Sequence, residues 1–84
     1  MDWELYAWLK RGKRRKEVLE IINSKNKPIS VNDIKNELKI AISQSSFTVK
    51  ELIDKKLIDC LNSEDNIGRL YIITEKGKEL INKI

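Results

Sequence analysis

The 84-residue sequence predicts a mostly α fold that carries one two-stranded β-hairpin. Three observations lead there. Apolar residues recur at helical spacing as far as about Lys56. Beyond Leu57 the spacing turns strand-like, in two runs of branched and aromatic residues that bracket a polar loop. A fresh helix start then follows at Thr74.

The elements follow in order. Asp2 to Leu9 holds Trp3, Leu5, Tyr6, Trp8 and Leu9, a short helix with apolar residues on much of its circumference. Gly12 weakens that helix. From Arg14 onward Val18, Leu19, Ile21 and Ile22 form a second apolar stripe, which runs until the polar stretch Asn23 to Pro28. The next start is signalled twice. Ser30 can cap with Asp33 at the third helical position, and Ile29 and Ile34 flank them as a hydrophobic staple. That helix runs through Leu38, with Ile34 and Leu38 on one face. Lys39 to Ala41 leaves room only for a tight turn, and another helix spans about Ile42 to Lys56. Two capped helices joined by so short a turn meet the requirement of a helix-turn-helix. "LIDCL" (57–61) and "RLYIIT" (69–74) are the hairpin strands, around "NSEDNIG" with Gly68 closing the loop. Thr74 caps the last helix, "EKGKELINKI", whose apolar face is Leu80, Ile81 and Ile84.

Composition narrows the function. The length suits a single domain over residues 1–84, with 1–12 as an aromatic N-terminal extension, and its modest core makes a homodimer a reasonable expectation. No apolar run approaches a membrane span and no signal-peptide pattern is present, so a soluble, cytoplasmic protein is expected. The lone Cys60 excludes an internal disulfide and any multi-cysteine zinc site; in its apolar strand it reads as a buried structural thiol. With no histidine, the commonest general base and metal ligand are both missing, which argues against an enzyme and against a metal sensor. No cofactor or small-molecule ligand is implied.

Charge is concentrated. The chain is +4, with 17 basic and 13 acidic residues. Six of the cations sit in "KRGKRRK" (10–16), without which eleven cations would face thirteen acids, a net of −2. Such a run is either a solvated helix start or a phosphate-binding block. Cations crowded at a helix N-terminus repel one another and oppose the macrodipole, a cost that an anion would relieve.

The wording of the chain carries a family likeness. "ISVNDIKNELKIAISQSSFTVKELIDKKLIDCL" resembles the second and third helices and first wing strand of winged helix-turn-helix regulators, and "IGRLYIITEKGKELI" is similar to their return strand and closing helix. "WLKRGKRRKEVL" resembles the first helix. The likeness is to small archaeal transcriptional regulators of the MarR/ArsR-like type and covers nearly the whole chain. It implies sequence-specific binding of double-stranded DNA, usually as a dimer, with the 42–56 helix in the major groove and the wing on the backbone or minor groove.

With Leu52 at the centre of the buried face of that helix, Ser45, Val49 and Lys56 fall close to it and Thr48 on the other flank. Ser43, Phe47, Lys50 and Asp54 point roughly opposite, with Ser46 beside them. The expected base readers are therefore Ser43, Gln44, Ser46 and Phe47. Gln44 is the only glutamine, and glutamine can pair bidentately with adenine. Lys13, Arg14, Arg15 and Lys50 are the expected phosphate anchors, with Arg69 and Asn66 in a wing made less favourable by Glu64 and Asp65. Three residues depart from the family pattern. Lys39 stands where the turn usually has glycine, Ser45 replaces an apolar residue on the buried face, and Phe47 occupies an outward site where arginine is common. Lacking that arginine, the site should lean towards A·T pairs. The rival expectation is a protein-interaction winged helix, in which Phe47 and the aromatics Trp3, Tyr6 and Trp8 form a partner surface. Those aromatics otherwise cover the monomer core or make the dimer contact.

Overall fold

All the expected elements occur in the expected order, with their ends shifted by local backbone chemistry. The computed structural model describes residues 2–65 and 67–84. They form α1 (Trp3–Arg11), α2 (Lys13–Lys25), α3 (Val31–Leu38), α4 (Ile42–Asp54), β1 (Ile58–Cys60), β2 (Tyr71–Ile73) and α5 (Glu75–Ile81). Asn66, expected to assist in the wing, lies outside the described residues.

The helix ends explain the shifts. Asp2 caps α1, its carboxylate accepting from the Leu5 N–H at 3.1 Å. Gly12 is extended (φ −95°, ψ 90°); its N–H ends α1 on the Leu9 carbonyl and its own carbonyl receives the Lys16 N–H. The basic block is therefore divided. Lys10 and Arg11 occupy the last turn of α1, where cations suit the dipole, and only Lys13 to Lys16 crowd the first turn of α2, which has no acidic residue. At α3 the capping box is complete, with Ser30 and Asp33 bonded reciprocally, and the staple residues Ile29 and Ile34 are both buried.

Two helices end on lysines in the left-handed conformation that usually selects glycine. Lys39 (φ 57°) lets the Ile40 N–H reach back to the Lys35 carbonyl at 3.3 Å, which makes the tight turn into α4. Lys56 (φ 61°) does the same after α4, with the Leu57 N–H on the Leu52 carbonyl at 3.0 Å. This turn corrects one sequence expectation. Lys56 is not on the buried face of α4 but outside the helix and exposed, because the chain reverses there to start the hairpin.

The core runs through α2, which packs against α1, α4, β2 and α5. Leu9, Val18, Leu19, Ile34, Leu52, Leu57 and Ile58 are fully buried. Truncating a leucine or isoleucine at such a site costs roughly 2–5 kcal/mol. β1 and β2 are antiparallel with Ile58 opposite Ile73 and Cys60 opposite Tyr71, so these side chains face inward while Asp59 and Ile72 face out. Ile29 adds an isolated bridge to Tyr71, with reciprocal bonds of 3.0 and 2.8 Å, and so ties the start of α3 to the wing. α5 closes the molecule at Gly77, where a Cβ would stand 2.2 Å from the Leu57 carbonyl oxygen and 2.7 Å from Ile73 Cγ1. Only glycine permits that approach. Cys60, expected to be a buried thiol, is half-buried.

Candidate nucleic-acid interface

α4 buries Ser45, Thr48, Val49 and Leu52 and turns the rest of its surface outward. The two buried hydroxyls are satisfied within the helix. Ser45 donates to the Ala41 carbonyl at 3.3 Å and Thr48 to the Gln44 carbonyl at 2.9 Å, so the polar residue on the apolar face costs no unpaired group. Ser43, Gln44, Ser46, Phe47 and Lys50 are all exposed, with Phe47 at 64%.

Two grooves divide these outward residues. One, of about 440 Å³, runs between α4 and the α1–α2 junction and is lined by Lys13, Arg14, Arg15, Gln44, Phe47 and Glu51 among others. The second, of about 250 Å³, lies on the opposite flank, where Ser46 and Ile42 meet Arg69, Tyr71 and the start of α3. Ser43 and Lys50 line neither groove and stand on the ridge between them, as their helical positions require. The predicted residues thus occupy one continuous face, with Gln44 and Phe47 on its basic side and Ser46 on its wing side.

The cations of the block are not equivalent. Lys13 is exposed and, among the described residues, makes no ion pair; Arg14 is exposed and approaches Glu17 at 4.0 Å, a weak contact. Arg15 is used differently. Its guanidinium bonds Glu51 Oε2 at 3.1 Å and the Trp8 carbonyl at 3.1 Å, and stacks 4.2 Å from the centre of the Trp8 ring. The side chain is 28% exposed and its carboxylate partner 23%. Arg15, expected as a phosphate anchor, lines the basic groove but has two of its five N–H donors engaged within the fold. Periodicity gave no sign of this, since Glu51 lies 36 residues away in the chain.

A second cation, Lys55 Nζ, also stands over the Trp8 ring, 5.4 Å from its centre. Tyr6 and Trp8 pack against the core, whereas Trp3 is 69% exposed and meets Tyr6 edge-on at 5.6 Å. The aromatic extension therefore does two things: Tyr6 and Trp8 cover the monomer, and Trp3 projects from it.

The wing owes its shape to Asn62, which the sequence did not single out. Its side-chain amide donates to Asp65 Oδ2 and to the Gly68 carbonyl, both at 3.1 Å, and its oxygen accepts the Leu70 N–H at 2.7 Å. Gly68 takes the positive φ (73°) expected of the loop's closing residue. Arg69 is exposed, with Nε donating to the Asp65 carbonyl at 2.7 Å. The rest of the wing surface is apolar and acidic. Leu61, Ile67, Leu70 and Ile72 are exposed, with Ile67 at 90%, beside Asp59, Glu64 and Asp65. Behind it, burial pushes the Tyr71 phenol above its ordinary value.

Among the described residues there is no cluster of His, Cys, Asp or Glu suited to a metal ion, and no helix is long and apolar enough to cross a membrane. No protein-family model matches the chain, and neither does any curated protein. Two solved structures do. One is a MarR/EmrR family transcriptional regulator from Acinetobacter sp. ADP1, 28% identical, with a TM-score of 0.74 over 92% of this chain and 56% of its own. The other is wild-type MarR from E. coli in its apo form, 21% identical, with a TM-score of 0.76 over 98% of this chain and 63% of its own. The chain has the winged helix-turn-helix fold of these regulators and spans about three fifths of their length.

Proposed function

We propose that this chain binds double-stranded DNA as a MarR-like transcriptional regulator, with α4 in the major groove. The observation that carries the reading is the basic groove, in which Lys13 and Arg14 border the same face of α4 as Gln44 and Phe47. Base readers and phosphate anchors must lie within one groove width of each other, and this arrangement satisfies that. Likeness to a 28%-identical transcriptional regulator supports it, and that comparison gives no ground for an enzyme.

In this reading Lys13, Arg14 and Lys50 hold phosphates. Gln44 and Ser43 meet base edges near the start of the helix, Ser46 reads from the wing side, and Phe47 packs on thymine methyls. Selected sites are A·T-leaning. Arg69 is a minor contact, since its Nε–H is held by the Asp65 carbonyl and three acids share the wing surface. The working species is a cytoplasmic homodimer on two half-sites, and exposed Trp3 is the aromatic that a dimer contact would use. Salt titration of duplex binding tests the core of the proposal. About four phosphate contacts per protomer give a slope of log K against log salt near −4 for each protomer bound, or about −7 for the dimer, whereas a flat, weak response refutes it.

A second reading has one observation in its favour. The exposed Leu61, Ile67, Leu70 and Ile72 make the wing unlike a phosphate-seeking surface and suit a protein-interaction winged helix. A flat salt response together with retention of a protein partner through the wing would favour it.

A further inference from the structure

Arg15 is the point at which three helices meet. It belongs to the first turn of α2, bonds the carbonyl of Trp8 in α1, and bonds Glu51 in α4. Its flat guanidinium lies on the Trp8 indole at 4.2 Å, so its orientation is set as well as its position. Gly12 leaves the space for its stem: a Cβ there would stand 2.4 Å from Arg15 Cδ. On either side of this contact are the groups given to DNA above. Lys13 and Arg14 precede Arg15 directly, and Phe47 and Gln44 are one and two turns before Glu51 on the same flank of α4.

We propose that Arg15 is a positioning residue for DNA recognition, fixing the distance and angle between the phosphate anchors of the basic block and the base-facing residues of α4. This rests on the DNA-binding reading and adds a specific division of labour: Lys13 and Arg14 supply charge, and Arg15 supplies geometry. Arg15 thus governs discrimination between sequences rather than the number of phosphate contacts.

Substitutions separate these roles because charge and shape can be changed one at a time. Arg15→Lys keeps the charge but cannot reproduce two fixed bonds and a planar stack. Glu51→Gln removes an anion next to the duplex and weakens the grip on Arg15. If Arg15 were an ordinary phosphate contact, Arg15→Lys would behave as wild type, Arg15→Ala would make the salt slope less negative by about 0.9 per protomer, and Glu51→Gln would tighten binding to every duplex. As a positioning residue, Arg15→Lys and Glu51→Gln each reduce, by about tenfold, the preference for a duplex selected from a random pool over its scrambled counterpart. The salt slope on the scrambled duplex stays at its wild-type value. Trp8 emission, read in a Trp3→Phe background, shifts in Arg15→Lys as the stack is lost.

The measurements are made well below the melting temperature of each variant, where a loss of stability alone leaves the preference unchanged. If Arg15→Ala does not fold, the Lys and Gln variants still decide the matter. Wild-type preference in Arg15→Lys, or general tightening with intact preference in Glu51→Gln, overturns the proposal while leaving DNA binding intact. Absence of salt-dependent binding by the wild-type chain overturns both readings together.

Discussion

The two flanks of α4 are built on different physical terms. On the basic side, one partly buried guanidinium joins α1, α2 and α4, and the groups next to it inherit their positions from the core. On the wing side, the loop is organised by its own Asn62 and by Gly68, and its surface is apolar and acidic. The contrast teaches that nearness to α4 is not sufficient for a binding role. A side-chain contact holds the basic flank in register with the helix, whereas the wing's strands are tied in by backbone and close packing at Ile29, Thr74 and Gly77 while its loop is organised locally.

The harshest way to break the comparison is to unseat the wing. Gly77→Ala drives a methyl into the Leu57 carbonyl, and we expect a loss of about 2–3 kcal/mol in denaturant unfolding despite alanine's better helix propensity. Next in size is Lys13→Ala with Arg14→Ala, which acts on the other flank without touching the core. Duplex affinity should fall about tenfold or more for all sequences alike, with the salt slope less negative by nearly two per protomer.

The turn entering α4 offers a gain. Lys39→Gly relieves a left-handed lysine, and about 0.5–1 kcal/mol of added stability is expected from the denaturation midpoint, offset in part by glycine's greater freedom when unfolded.

Acid sharpens the picture at α3, beside the wing-side groove. Hydrogen bonds from the Ser30 backbone and hydroxyl hold the Asp33 carboxyl below its ordinary value of 3.8. A depressed folded-state value means that this stabilisation is present above pH 3.8 and disappears as pH falls through the lower folded value. Asp33→Asn should therefore flatten the stability profile below about pH 4, as read by melting temperature against pH. The smallest effect is assigned to Arg69→Ala, under twofold on duplex affinity by titration. A loss as large as that of the Lys13 and Arg14 pair would erase the distinction between the flanks.

Much of this was legible along the chain. Ser30 and Asp33, Thr74 and Gly68 carry their instructions within a few residues, so caps, turns and the loop closure were readable from spacing. The outward set on α4 followed from helical geometry, and Ser43, Gln44, Ser46, Phe47 and Lys50 are all exposed. Misreadings arose where the local signal was silent. Lys56 looks like one more helical residue, yet it turns left-handed because Leu57 and Thr74 draw the chain into the hairpin; Thr74 Oγ1 donates to the Lys56 carbonyl at 2.8 Å. Asn62 passes for an ordinary loop asparagine until Asp65, Gly68 and Leu70 are in place around it.

By itself the sequence determined the order of the elements, the apolar face of each helix and the concentration of positive charge in one heptapeptide, since all three depend on neighbours within a turn or two. Only the tertiary structure decided what each of those charges does. Lys13, Arg14 and Arg15 are adjacent and chemically alike, and what distinguishes them is whether an acid from α4 and the indole of the preceding helix arrive within reach. Packing sets that meeting, and no local pattern encodes it.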